Sequence, residues 1–421
     1  MHHEPLFQTR RLGEVKVLVV GSGGREHALA WKLAQSPGLS ELHAAPGNPG
    51  IARLGKCHPV RAEDQEGLLA LARELEADLV VVGPEAPLVA GLADHLRYAG
   101  IAVFGPGREA ARIEGSKTFA KAVMEAAGVP TARTLPVARV PCVVKADGLA
   151  AGKGVFVCET RDELDVALRA ANSLGERTVI EELLHGPEVS AFALVDGVNV
   201  APLPAARDYS RVGDGDVGPN TGGMGCYSPV PDAPGAEELV DTLIRPVVKE
   251  LKSRGTPFVG CLYAGVILTE HGPRVLEYNV RFGDPEAQAM LPRLEGDLLG
   301  ALAAAAKGDV SGADLRESDH AAVCVAMTAP DYPSANDSGS PIDGIEDAEA
   351  AGALVFHAGT AVQRDRLVTN GGRILGVAAQ AETISEARRR AYEACELISF
   401  PGAKYRSDIA LAAVQEEHVS G

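Results

Sequence analysis

The chain has 421 residues, 46% hydrophobic and 23% charged, a balance too apolar for a disordered protein and ordinary for a folded one. Its 40 Lys and Arg against 57 Asp and Glu leave a net charge of −17, with no Lys/Arg block, which excludes a general nucleic-acid or anionic-membrane binder. Seven cysteines without a Cys-x-x-Cys spacing suggest neither a zinc site nor a redox pair. No apolar run approaches the ~18 residues that span a bilayer. The first fourteen residues read as a loose leader without the apolar stretch of a signal peptide. A cytoplasmic monomer of two to four domains is expected, at roughly 100–200 residues per domain.

The first element is the β-branched run Val15 to Val20, which meets Gly21-Ser22-Gly23-Gly24 and then a helical stretch from His27 to Ala34. Strand, glycine turn and helix in that order open a doubly wound sheet. Asp78 to Val82, ending at Gly83-Pro84-Glu85, and Ile101 to Phe104 are further strands, separated by helical sequence such as Asp64 to Leu75. This alternation predicts a parallel α/β domain. The glycine turn either lets backbone N–H groups approach a phosphate or merely joins strand to helix. A dinucleotide site also needs an acid closing the second strand. Glu41 stands at about that distance but precedes the run Leu42 to Ala45, and Pro46 to Gly50 holds no carboxylate.

Ser116 caps a helix running through Val123 and Met124 to Gly128, which Val129-Pro130-Thr131 breaks. From Cys142 to Val157 two strand-like runs flank a glycine-rich loop containing Gly148, Gly152 and Gly154. The spacing is not that of a P-loop, and a strand follows instead of a helix. Such a hairpin either folds over nucleotide phosphates, with Lys145 at the strand end and Lys153 at the tip, or is a surface turn with solvated lysines. Val179 to Glu182 is a short strand ending in two acids, with Glu188 close behind. Its end offers backbone to an adenine edge and a carboxylate to ribose, or is a solvated face. Ala205 to Pro229, dense in Gly, Pro and Asp, reads as a long loop. Leu262 to Leu268 and Pro273 to Val280 read as paired strands. A period of two places Glu277, Asn279 and Arg281 on one side of the second strand. Glu and Asn are hard oxygen ligands for a divalent ion shared with ATP, and Arg281 suits a transferring phosphoryl group. The alternative is a half-exposed polar edge. Ala321 to Met327 begins a last α/β segment.

Together these segments resemble the ATP-grasp ligases, most closely those that join glycine to 5-phosphoribosylamine. The matching stretches are Gly21 to Ala28, Val82 to Leu88, Glu114 to Lys117, Lys145 to Gly154, Gly218 to Gly225, Glu277 to Glu286, His357 to Thr360 and Thr369 to Arg373. They cover about Val15 to Ile409. The resemblance implies a multidomain α/β and α+β fold. Its parts are a Rossmann-like N-terminal domain over 15–115, an ATP-grasp domain over 116–313 with a lid subdomain at about 130–184, and a small α/β C-terminal domain over 318–415.

The implied partners are ATP, glycine and 5-phosphoribosylamine, with Mg²⁺ or Mn²⁺ as the metal and neither nucleic acid nor membrane. Lys117, Lys145 and Lys153 would hold ATP, Glu181 and Leu183 would offer backbone to adenine, and Glu188 would take ribose. Glu277 and Asn279 would bind the metal, and Arg281 with Lys145 would act in catalysis. Glycine is expected along the loop from Gly213 to Gly225, with its ammonium on Asp214 and with Asn220 and Thr221 beside it. The phosphoribosylamine phosphate is expected at Gly23 and Gly24, helped by Gly371 and Arg373. The chain departs from the family at Arg207-Asp208-Tyr209-Ser210-Arg211, where Gln-Asp-His-Lys-Arg is usual, and in short lid segments at 131–141 and 159–177. Another carboxylate–amine ligase of the same superfamily, a non-catalytic nucleotide binder and a dinucleotide oxidoreductase are the competing functions.

Overall fold

The computed structural model describes residues 14–149, 154–174 and 177–420. The expected leader and Lys153 lie outside the described residues.

Five parallel strands open the fold, in the spatial order Lys56–Cys57, Leu39–Pro46, Val15–Gly21, Leu79–Val82 and Val103–Phe104. Val17 to Val20 and Leu79 to Val82 are buried throughout, as expected of strands covered on both faces. Strand order reverses between Val15–Gly21 and Leu79–Val82. At such a switch point the strand ends part and leave a crevice for a ligand. Gly21 turns the chain there with φ of +126°, and a Cβ on it would lie 2.6 Å from Cδ of Glu26. The second strand ends at Pro46 and carries Glu41 near its exposed start, so the acid a dinucleotide site needs is missing.

Helix Lys117–Ala127 leads out of this domain. The Ser116 hydroxyl accepts from the Phe119 N–H at 3.2 Å, and left-handed Gly128 ends the helix. The largest sheet has eight antiparallel strands: Gly272–Asn279, Val259–Thr269, Glu188–Asp196, Val200–Asp208, Gly225–Ser228, Ala321–Thr328, Arg373–Ala381 and Leu354–His357. It runs without a break from the central segment into the C-terminal one, where Gly225–Ser228 pairs with Ala321–Thr328. The segment 205–229 is therefore not the long loop its composition suggests. It finishes one strand, forms a hairpin of Arg211–Gly213 with Val217–Asn220, and starts another strand. Glycine serves close approach here, since a Cβ on Gly225 would lie 2.7 Å from the Cys324 carbonyl oxygen.

Beneath this sheet lies helix Glu286–Arg293, buried along its whole length and packed against helix Gly24–Leu33. The lid is a separate small layer. Strand Cys142–Ala146 pairs antiparallel with Val155–Cys158 and Thr178–Glu182, and helix Arg161–Leu174 covers them. Val144, Leu164, Ala167 and Ala171 make its own core. No helix among the described residues is long and apolar enough to cross a membrane.

Candidate active site

A cleft of about 910 Å³ opens between the switch point, the lid and the large sheet. At its lid end, Lys145 closes strand Cys142–Ala146. Its ammonium donates to the Leu276 carbonyl at 2.8 Å and pairs with Glu181 at 2.8 Å. Glu181 is buried, and its other oxygen holds Lys121 at 2.6 Å. One carboxylate thus fixes two lysines. Glu181, opposite Val143 and Thr134 in the strand register, and Leu183, past the strand end, both line the cleft. Glu188 begins the next strand. Desolvation and the nearby charge of Glu277 hold its carboxyl above the usual range.

The alternation expected near Glu277 is present. Glu277, Asn279 and Arg281 face the cleft, while Tyr278 and Val280 enter the core. Lys117 lies 3.4 Å from Glu277. Burial alone would raise the Glu277 carboxyl, but Lys117, Lys145 and Arg281 together hold it below its ordinary value. Asn279 Oδ1 accepts from Arg281 at 3.2 Å, and Arg281 also meets Glu85 at 3.3 Å and Glu114 at 3.7 Å. Glu114 is fully enclosed and accepts from the Val280 N–H at 2.7 Å. Desolvation raises its carboxyl to about 7, against the pull of Arg281.

These oxygens fit a divalent cation. Glu277 is kept ionised, Asn279 adds a neutral oxygen, and both are hard donors. No cluster of three or more His, Cys, Asp or Glu able to hold a metal forms among the described residues.

Across the cleft, Arg373 from the C-terminal segment pairs with Asp284 at 3.0 Å and donates to the Asp284 carbonyl at 2.9 Å. Arg25 flanks the glycine turn and faces the same space. The turn itself does not. The Gly23 N–H is given to Glu26 at 2.6 Å, and a Cβ on Gly24 would meet Gln288. Gly371 packs on Gly359. Of the four residues expected around the phosphoribosylamine phosphate, only Arg373 faces the cleft, and Arg25 joins it.

Asn220 and Thr221 line the cleft, though the Thr221 hydroxyl is used inside its own loop, on the Ser210 carbonyl at 2.9 Å. Asp214 does not reach it. That residue sits at the hairpin tip and accepts from the Ser407 N–H at 2.8 Å and hydroxyl at 2.5 Å. Its expected role on glycine's ammonium is therefore corrected. Of the acids that face the cleft there, Asp216 and Asp284 are paired with arginines, which leaves Asp208 and Glu286. Neither forms an ion pair among the described residues. Desolvation, Glu286 and Glu188 push the Asp208 carboxyl well up.

A parallel domain with a switch point, a small lid carrying a buried lysine and an antiparallel sheet carrying the acidic ligands define an ATP-grasp fold. Three family models match in order: the phosphoribosylglycinamide synthetase N domain over 15–114, its ATP-grasp (A) domain over 115–287 and its C domain over 322–412. The chain is 51% identical to a phosphoribosylamine–glycine ligase of Streptomyces coelicolor, over 95% of this chain and 99% of that one. It is 47% identical to the ligase of that name from Mesorhizobium japonicum, over 96% and 100%. The crystal structure of a phosphoribosylamine–glycine ligase from Thermotoga maritima superposes with a TM-score of 0.82 at 36% identity, covering 94% of this chain and 100% of that one. The chain belongs to the phosphoribosylglycinamide synthetase family.

Proposed function

We propose that this chain uses ATP to join glycine to 5-phosphoribosylamine, giving glycinamide ribonucleotide, ADP and phosphate. The observation that carries the reading is one cleft with two kinds of cation. Lys117 and Lys145 suit a nucleotide, while Arg25, Arg281 and Arg373, from three separate domains, face the same cleft.

In the first step a glycine carboxylate oxygen attacks the γ-phosphorus, the bond to the β-bridging oxygen breaks, and ADP leaves. In the second, the amine nitrogen attacks the acyl carbon of glycyl phosphate. The bond to phosphate breaks and the nitrogen loses a proton. The protein forms no bond of its own in either step, so its work is alignment and charge neutralisation. Lys145, held rigid by Glu181, neutralises the nucleotide phosphates with Lys117. The Leu183 main chain meets adenine and Glu188 meets ribose. Arg281 stabilises the transferring phosphoryl group. Arg373 and Arg25 take the phosphate of phosphoribosylamine. Asp208 and Glu286 face glycine's ammonium, whose positive charge favours the ionised form of the Asp208 carboxyl. Glu277 and Asn279 hold Mg²⁺ or Mn²⁺, which offsets the charge of the phosphates when bound.

The test is ADP release with MgATP, adding glycine and fresh phosphoribosylamine separately and together. ADP formed in step with glycinamide ribonucleotide, and only with both, supports the reading. ATP binding without turnover under any combination contradicts it.

A further inference from the structure

The hairpin of Arg211–Gly213 and Val217–Asn220 walls one side of the cleft, with Arg211, Asp216 and Asn220 facing in. It is a two-stranded sheet of its own. Such a hairpin is marginal in water without further packing. What holds it is a segment of the C-terminal domain almost two hundred residues away in sequence, about as far as Asp214 is from Ser407 (193 positions).

Arg406 is the largest fully buried side chain among the described residues. Its guanidinium donates to both oxygens of Asp408, at 2.7 and 2.6 Å. It also donates to Asp216 at 2.7 Å and to the Arg211 carbonyl at 3.0 Å, and lies 4.7 Å from the centre of the Tyr209 ring. Asp408 in turn accepts from the Gly215 N–H at 2.8 Å, and Asp214 is tied to Ser407. Every turn residue from Asp214 to Asp216 is therefore anchored to 406–408. The planar fork of arginine is what lets one side chain reach both carboxylates and a carbonyl together.

The chemistry gives this anchoring a purpose. An acyl phosphate is open to water: a water oxygen attacks the acyl carbon, the bond to phosphate breaks, glycine is regenerated and a proton goes to solvent. ATP is then consumed without product. A wall that stays seated while the intermediate exists prevents this. We propose that Arg406 is a positioning residue that seats the hairpin 211–220 against the cleft, so that ATP use stays coupled to amide formation. This rests on the glycyl phosphate reading above.

The experiment measures phosphate and glycinamide ribonucleotide in the same reactions, for the wild type, Arg406→Lys and Asp216→Ala. Arg406→Lys keeps a charge beside Asp408 but loses the fork. Asp216 is 66% exposed, so Asp216→Ala removes one anchor without opening the core. The wild type should release one phosphate per product, and both variants severalfold more, with the excess dependent on glycine. Slower variants whose ratio stays at one would overturn the role of Arg406 and leave the function standing. A wild type that makes no product from both substrates would overturn the function and this inference with it.

Discussion

Glu277 and Glu181 are carboxylates some hundred residues apart in sequence with opposite tasks. Glu277 stays partly open to the cleft, so replacing it leaves the core intact. Glu277→Ala should keep its fold by circular dichroism and lose at least ~100-fold in turnover, together with measurable Mn²⁺ binding, because second ligands cannot replace a lost anionic one. Near-normal activity would refute the metal assignment. Glu181 is buried between two ammonium groups. Removing one partner of such a group costs about 3–5 kcal/mol. Glu181→Ala should therefore loosen the lid first, seen as faster amide exchange over Cys142–Ala146 while the large sheet stays protected. The Glu277, Asn279 and Arg281 row was legible in the sequence because a strand's alternation is local. Glu114 was not singled out, since its meaning depends on the Val280 N–H 166 positions later. Asp214 looked free in a glycine-rich stretch because its partner, Ser407, is equally remote.

Most elements were readable for the same local reason. The runs at Val15, Leu79 and Ala321, and helix Lys117–Ala127 with its Ser116 and Gly128 boundaries, fall where propensity and capping place them. The segment 205–229 failed because Gly225 serves close approach to Cys324 of the neighbouring strand and Gly223 to Pro285, which composition cannot distinguish from loop flexibility. The cysteines show the same limit. All seven are free, yet Cys142 faces Cys158 and Cys226 faces Cys324 across paired strands. Where helix Gly24–Leu33 meets strand Leu354–His357, His27 accepts from the His357 N–H at 2.8 Å. Burial holds His27 at about 3 and His357 at about 4, both below the usual 6.5. An unfolded chain takes up these protons at a pH where the folded one refuses them. The stabilisation is present above pH 6.5 and is lost as pH falls toward 4 and then 3, at about 1.4 kcal/mol per pH unit and per histidine. Urea midpoints at pH 7 and pH 5 should therefore fall less in His27→Gln than in the wild type. An equal fall would contradict this.

Across the whole molecule, the division into domains expected from sequence meets a sheet that ignores it. Ala321–Thr328 sits between Gly225–Ser228 and Arg373–Ala381, so the C-terminal segment completes the sheet of the central one. A chain ending at residue 313 would expose the edge of Gly225–Ser228 and the face of helix Glu286–Arg293. It should be recovered as aggregate, and recovery as a soluble, ATP-binding protein would show the sheet to be separable. The same assembly brings Arg25, Arg281 and Arg373 from three domains to one cleft, where the proposed activation of a carboxylate would take place. The most direct measurement follows oxygen. With glycine labelled by ¹⁸O in its carboxylate, attack on the γ-phosphorus and later loss of phosphate carry one labelled oxygen into each phosphate released. Phosphate bearing one ¹⁸O per product formed is the predicted result. Unlabelled phosphate from a reaction that still makes glycinamide ribonucleotide would contradict the account.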